Sequence, residues 1–255
     1  MTPLAQLDAH AIDSLLFDID ETLTTDGKLT APAYSALEKL HAAGKRAVAV
    51  TGRPAGWCDH IARMWPLDAV VGENGAFYFC FAEGKLHKRF ADDEKARAAK
   101  RGRLDVIAST ILAQVPGCAI ASDQPYRETD LAIDYCEDVP PLPLHAAERI
   151  AALMRGAGLT ARVSSIHVNG WFGDYDKLAM TRRLFRERFA MDLGKANREI
   201  AFVGDSPNDA PMFEFFENSV GVANVRRFTL ASGPKYITQA SAGAGFAELV
   251  AHLLR

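Results

Sequence analysis

No stretch of this chain approaches the ~20 consecutive apolar residues that a membrane-spanning helix needs, so no membrane partner is expected. Cysteine is scarce. Cys58, Cys80, Cys118 and Cys136 are scattered and form no CxxC pair, which argues against a zinc signature or a secreted disulfide framework and leaves reduced, partly buried thiols as the expectation. A positive field is missing as well: the formal net charge is −3, so nucleic acid has no global electrostatic reason to bind, and a small anionic substrate must be held by local groups. Met1 to Asp8 lacks a basic start followed by an apolar core, so no secretory leader is expected and the cytoplasm is the expected location. Neither an internal repeat nor a low-complexity tract is visible.

What is present is an ordinary globular balance, with 49% hydrophobic and 24% charged residues over 255 positions, enough for one large core or two compact units. Strands and helices alternate in the manner of an α/β protein with a parallel sheet. Ala31-Pro32 opens a helix carrying Tyr34, Leu37 and Leu40 on one side and ended by Gly44; a strand is expected over Lys45 to Thr51. A helix from Pro54 places Trp57, Ile61 and Trp65 on a common face, and Asp68 to Gly72 reads as another strand. Toward the other end, residues 207–216 read as helical and residues 219–222 and 235–238 as short strands. The last helix repeats Phe246, Leu249, Val250, Leu253 and Leu254 at amphipathic spacing.

The middle follows a different pattern. Residues 76–81 and 85–90 flank Glu83-Gly84 as a hairpin; the highly charged stretch Asp92 to Arg103 then precedes an amphipathic helix carrying Leu104, Ile107, Ile111 and Val115. Strand-like runs at 118–122 and 131–136, the link Pro140-Pro141-Leu142-Pro143, a helix through Ile150 and Met154, and strand-like runs at 159–163 and 166–171 complete it. This α/β unit reads as an insertion, residues 83–172, between two halves of a core, residues 1–82 and 173–255.

The segment Leu15-Leu16-Phe17-Asp18-Ile19-Asp20-Glu21-Thr22 puts two carboxylates two residues apart after a short apolar run. If strand geometry persists to Asp20, both side chains project to the same side. Such repulsion needs an offset, and a divalent cation or a proton on one carboxyl can supply it. Three further segments make the same kind of demand in a fixed order: Ala47 to Val50 running into Thr51-Gly52-Arg53-Pro54, then Lys177, then Ile200 to Val203 running into Gly204-Asp205-Ser206-Pro207-Asn208-Asp209. In an open α/β sheet, ligands bind beyond the carboxyl ends of the strands, so these clusters would converge on one crevice holding four Asp, one Thr and one Lys.

The set hhhDxDxT, hhhTG, a lone Lys and GDxxND resembles the haloacid-dehalogenase-like (HAD) superfamily of phosphatases and phosphotransferases over nearly the whole chain. Glu73-Asn74-Gly75 and the long insert look like its branch with a large α/β cap (Cof-like, sucrose-phosphatase-like and phosphomannomutase-like proteins). Glu21 departs from the pattern, since most relatives have Gly there. The resemblance implies a Rossmann-like core with an inserted cap, acting as a monomer or homodimer on a small phosphorylated metabolite. It also implies that Asp18 is the nucleophile and Asp20 the general acid and base. Mg2+ would be held by Asp18, Asp205 and the backbone carbonyl of Asp20, with Asp209 orienting a ligand or water. Thr51 and Lys177 would bind phosphoryl oxygens, while Thr22 and Asn208 brace the loops.

Discrimination among leaving groups would come from the insert and its hinges, and Arg53, Asn74, His167 and Asn169, polar residues near the hinges or the insert's strand ends, are the candidates; His167 and Asn169 alternate about Val168 and so would share one strand face. Ordinary solvent-facing positions are the bland alternative for them, as an N-cap or first-turn carboxylate is for Asp18 or Asp209. Three functions remain open: a Mg2+-dependent phosphatase acting through an aspartyl-phosphate, most simply on a sugar phosphate; a phosphomannomutase-type sugar phosphomutase; and a catalytically silent binding protein on the same fold.

Overall fold

The computed structural model describes residues 1–255. Its first part runs β1 (Thr2–Pro3), β2 (Ser14–Phe17), α1 (Ala31–Ala42), β3 (Arg46–Val50), α2 (Ala55–Met64), β4 (Ala69–Gly72), β5 (Phe77–Ala82) and β6 (Lys85–Phe90). Then come α3 (Glu94–Gln114), β7 (Ala119–Ile120), β8 (Leu131–Asp134), α4 (Leu144–Gly156), β9 (Thr160–Val163) and β10 (His167–Trp171). The chain finishes with α5 (Lys177–Arg188), β11 (Ile200–Gly204), α6 (Ala210–Phe215), β12 (Asn218–Gly221), β13 (Tyr236–Ile237) and α7 (Ala242–Leu253).

Nine strands form one sheet in the order β1-β13-β12-β11-β2-β3-β4-β5-β6, parallel through β4 and antiparallel at β5 and β6. Its central strands are apolar on both faces, as a sheet covered on both sides requires. Leu15, Phe17, Ala47, Ala49, Ala201 and Val203 join the core under α1, α2 and α7, whereas Leu16, Val48, Val50, Ile200 and Phe202 join the core under α5 and α6. One-residue alternation thus assigns each strand to both cores, and fixes the register that brings the ends of β2, β3, β11 and β12 to one edge. The second sheet, β7-β8-β10-β9, is antiparallel and has its own core with α3 and α4. β6, past the expected border at residue 83, pairs with β5 as the last strand of the large sheet.

Several local expectations change. The charged stretch before Leu104 is the first half of α3, capped by Asp93, whose carboxylate accepts the Ala96 amide at 2.8 Å. No residue of α3 before Leu104 is buried, so this half lacks the apolar periodicity that marks the rest of the helix. Trp57 leaves the expected common face of α2 and is 43% exposed; the buried side of that helix is Ala55, Cys58, Ile61 and Ala62. β2 ends at Phe17 rather than reaching Asp20, because the Ile19 carbonyl accepts the amides of Thr22, Leu23 and Thr24 and closes a turn. All four cysteines are free thiols. No helix is long and apolar enough to cross a membrane.

Candidate active site

The turn after β2 carries the first acid. Asp18 is buried and its Oδ1 lies 3.2 Å from the Lys177 Nζ. Lys177 is the first residue of α5, whose N-cap Asp176 accepts the Ala179 amide at 2.7 Å, and its ammonium also donates to Asp209 Oδ1 at 2.7 Å. A residue that reads as a lone surface lysine is therefore sealed between two carboxylates. Packing of the Glu73-Asn74-Gly75 turn sets this placement: Gly75 has φ +105° and a Cβ there would stand 2.0 Å from the Asp176 carbonyl oxygen. Glu21 at φ +54° adopts the left-handed backbone for which a glycine is ordinarily chosen, so the turn geometry survives the departure in sequence, at roughly 1–3 kcal/mol of strain.

The loop after β11 brings the other acids. Asp209 Oδ2 accepts the amides of Asp205 (3.1 Å) and Ser206 (3.3 Å), folding over Gly204, where a Cβ would come within 2.3 Å of that oxygen. Both oxygens of Asp209 are thus engaged, one by Lys177 and one by backbone. Asp205 Oδ1 accepts from the Thr22 hydroxyl at 3.4 Å and Oδ2 from Asn224 Nδ2 at 3.1 Å. Asn224 sits just beyond β12 and also donates to the Glu21 carbonyl at 2.9 Å; sequence reading missed it, although a polar residue past another parallel strand was the available signal. Thr51, buried at the end of β3, accepts the Arg53 amide on its hydroxyl at 3.1 Å. Asn208 Nδ2 donates to Asn74 Oδ1 at 3.4 Å, while Asn74 Nδ2 is buried without a partner.

Oxygens of Asp18, Asp205 and Asp209 lie within 4.8 Å of one another, and Lys177 is the cation paired among them. Excess buried negative charge of this kind suits a hard divalent cation with oxygen ligands. The same excess shows in the titration. Burial, opposed by Lys177 and reinforced by Asp209 and Asp20, pushes the Asp18 carboxyl up to about 7. Burial together with Asp18 and Asp209 pushes Asp205 well above the usual carboxylate range, while Lys177 is held above its ordinary value by Asp18 and Asp209 in spite of burial. Because these acids bind protons more tightly folded than unfolded, the folded state gains protons between about pH 4 and 7, and its stability falls as pH rises through that window. In excess chelator the protein is expected to melt at lower temperature at about pH 8 than at about pH 5.5, and a divalent cation should narrow the gap. Thermal scans check this; a chelated midpoint that rises over that interval would contradict it.

Asp20 turns to the other side of the same chamber. Arg53 grips it through Nε (2.9 Å) and Nη2 (2.8 Å), reaches Glu137 Oε1 at 2.5 Å and Asp123 Oδ2 at 3.4 Å, and lies over the Trp57 ring at 4.3 Å. That contact explains the outward position of Trp57. His167 Nε2 approaches Glu137 Oε2 to 2.8 Å, close enough to pair but poorly aligned, so this buried nitrogen makes no good hydrogen bond. Asn169 is tied to Asp130 at 2.9 Å, and Asp130 with Asp123 holds the buried Arg127, which donates to the Gly52 carbonyl at 2.9 Å. Glu73 accepts the amides of Ala55, Glu128 and Thr129, clasping the second unit to the turn beside Lys177. Sequence reading did not pick out Glu137, Arg127 or Glu73 as charged partners.

Asp18, Asp20, Arg53, His167, Asn169 and Asn208 all border one small chamber of about 10 Å³, room for roughly one water. A cleft of about 470 Å³, lined by Asp20, Arg53, Glu137, Asp205 and Asn224, adjoins it. The chamber therefore has a nucleophile candidate, a neighbouring acid, buried cations and a route for a small molecule.

Residues 15–99 match the haloacid dehalogenase-like hydrolase family. Phosphoglycolate phosphatase of Haloarcula marismortui is 29% identical over 238 residues, spanning 93% of this chain and 95% of the relative. Among solved structures, Thermoplasma acidophilum 0175 superposes with a TM-score of 0.70 at 17% identity, covering 95% of this chain and 98% of that one. A HAD/COF-like hydrolase from Plasmodium vivax gives a TM-score of 0.68 at 16% identity, covering 96% of each chain.

Proposed function

We propose that the chain is a haloacid dehalogenase-like hydrolase of the Cof-like branch and acts as a Mg2+-dependent phosphatase of small phosphorylated metabolites. The observation that carries this reading is the buried trio Asp18, Asp205 and Asp209 around Lys177 beside the chamber shared by Asp18 and Asp20. Asp18 attacks phosphorus, the bond to the leaving oxygen breaks, and an aspartyl-phosphate forms. Asp20, oriented by Arg53, gives its proton to the departing alkoxide and then takes one from the water that hydrolyses the acyl phosphate. Lys177, Thr51 and the unpartnered Asn74 Nδ2 would offset charge on the phosphoryl oxygens. Mg2+, held by Asp18, Asp205 and the Asp20 carbonyl with Asp209 as their brace, would neutralise charge on the transferring group.

The unit built on the second sheet serves as a cap that closes over the chamber and excludes water. The family resemblance points to sugar phosphates, whereas the relative named for phosphoglycolate points to a short acid. The guanidinium groups of Arg53 and Arg127 beside the chamber support the more anionic substrate. Phosphate release from a panel holding both, without a bisphosphate activator, tests the phosphatase reading against a mutase.

Turnover should require Mg2+, with Ca2+ a poor substitute because its looser coordination misplaces the nucleophile. Asp205→Ala should lose at least ~10²-fold in metal-supported turnover while the chelated protein melts no lower than wild type, since a repelled carboxylate has been removed. Full turnover in chelator would sink this assignment. His167→Ala and Asn169→Ala should raise KM for the best natural ester by roughly ten-fold, and for p-nitrophenyl phosphate much less. Equal shifts for the two esters would argue against contact with the leaving group.

A further inference from the structure

Arg53 is a crowded cation. Asp20 holds its Nε and Nη2 side, and the second place on its guanidinium is taken by Glu137, which reaches over from the cap at 2.5 Å. The other oxygen of Glu137 stands 2.8 Å from His167 Nε2, so one carboxylate is seated in a saddle made by Arg53 and His167. Two features mark this seat as replaceable. His167 is 2% exposed, yet its Nε2 has no well-formed hydrogen bond. Glu137 is 25% exposed and lines the 470 Å³ cleft, so its side chain borders open space rather than the core. The saddle itself is built: Arg53 is 4% exposed, fixed by Asp20 and Asp123 and stacked on Trp57. Although burial alone would raise it, contact with His167 and Arg53 holds the Glu137 carboxyl down at about 2, as expected for an anion in a cationic seat.

We propose that Glu137 is an internal stand-in for a carboxylate on the substrate: the substrate is a short phosphomonoester acid whose carboxylate displaces Glu137 from Arg53 and His167 when its phosphoryl group reaches Asp18. The inference rests on the phosphatase reading above. Exchanging one carboxylate for another leaves the charge on the saddle unchanged, so displacement incurs little desolvation cost. A neutral polyol cannot make that exchange, because it would replace the shortest anionic contact of the buried Arg53 with an uncharged one and leave only Asp20 and the longer contact to Asp123. Glu137 thus competes only for the seat: an ester with a carboxylate must displace it, whereas an ester without one neither uses the seat nor gains from its being free.

Competition of this kind lowers apparent affinity by the fraction of time the seat is free. Glu137→Gln keeps the size and polarity of the side chain but removes its charge. With Mg2+ present, KM of the variant for 2-phosphoglycolate should fall by about ten-fold with kcat within about two-fold of wild type, while KM for ethyl phosphate, which has the same length without the carboxylate, should hardly move. Glycolate should also compete more strongly against p-nitrophenyl phosphate in the variant than in wild type. A KM for 2-phosphoglycolate that rises or stays constant, or equal shifts for the two esters, overturns the proposal. A thermal midpoint matching wild type excludes misfolding as the cause. If the wild type hydrolyses ethyl phosphate or sugar phosphates but neither hydrolyses phosphoglycolate nor is inhibited by glycolate, the carboxylate seat is wrong and the phosphatase reading stands. If no ester releases phosphate, that reading itself fails.

Discussion

Asp18→Asn should lower phosphatase turnover by roughly 10⁴-fold or more, to background, while the protein stays folded. The substitution nearly preserves shape but removes the negative charge that attacks phosphorus, so no phosphoenzyme can form. The fold should tolerate it because Asp18 is one of three clustered carboxylates, only two of which meet the Lys177 ammonium, and burial already pushes its carboxyl up to about 7. Losing a carboxylate there relieves repulsion. Steady-state rates with p-nitrophenyl phosphate, alongside a thermal scan in chelator, check both halves. Wild-type turnover in the variant would end the assignment of Asp18 as nucleophile.

Lys177→Met should do the opposite to stability. Asp18 and Asp209 then face each other and Asp205 without their shared cation, and breaking a buried pair from one side costs about 3–5 kcal/mol, or about 6–20 °C in midpoint for a chain of this size. The loss should be greatest near pH 8 in chelator, where the acids are most fully ionised, and should shrink on acidification or on adding Mg2+. Activity should fall as well, since the charge that meets the phosphoryl oxygens has gone. Differential scanning at two pH values, with and without the cation, measures this. An unchanged midpoint under all four conditions would mean that Lys177 does not hold the acids together.

The contrast between these two positions shows what the sequence made legible. Apolar strands flanked by Asp18-x-Asp20, Thr51-Gly52 and Gly204-Asp205 announced a parallel sheet with polar ends, because burial on both faces leaves a continuous hydrophobic run that local pattern can reveal. Gathering of those ends at one edge followed from sheet geometry. Lys177 carried no such mark. Its burial depends on the Gly75 turn packing against Asp176, a contact between segments a hundred residues apart. Glu137 and Glu73 were illegible for the same reason, since Arg53 and the Glu128 and Thr129 amides reach them across the interface between two sheets, which no local periodicity encodes; Arg127 pairs locally with Asp123 and Asp130, but its bond to the Gly52 carbonyl crosses the same interface. Asp20 was placed in the right chamber by a faulty step: strand alternation fails after Phe17, and the Ile19 turn aims the side chain at Arg53 instead. Trp57 was misassigned because helical spacing describes a stripe but not which side of it a neighbouring cation will cover.

Covalent trapping at Asp18 tests the central claim most directly. Enzyme with Mg2+ is mixed with a good substrate, quenched during turnover, reduced with borohydride and digested, and the peptide spanning residue 18 is sequenced by mass spectrometry. The account predicts conversion of Asp18, through its acyl phosphate, to homoserine in the wild type, dependent on substrate and absent from Asp18→Asn. Label on Asp20, or phosphate release with no trapped species at residue 18 under conditions where the intermediate accumulates, would contradict it.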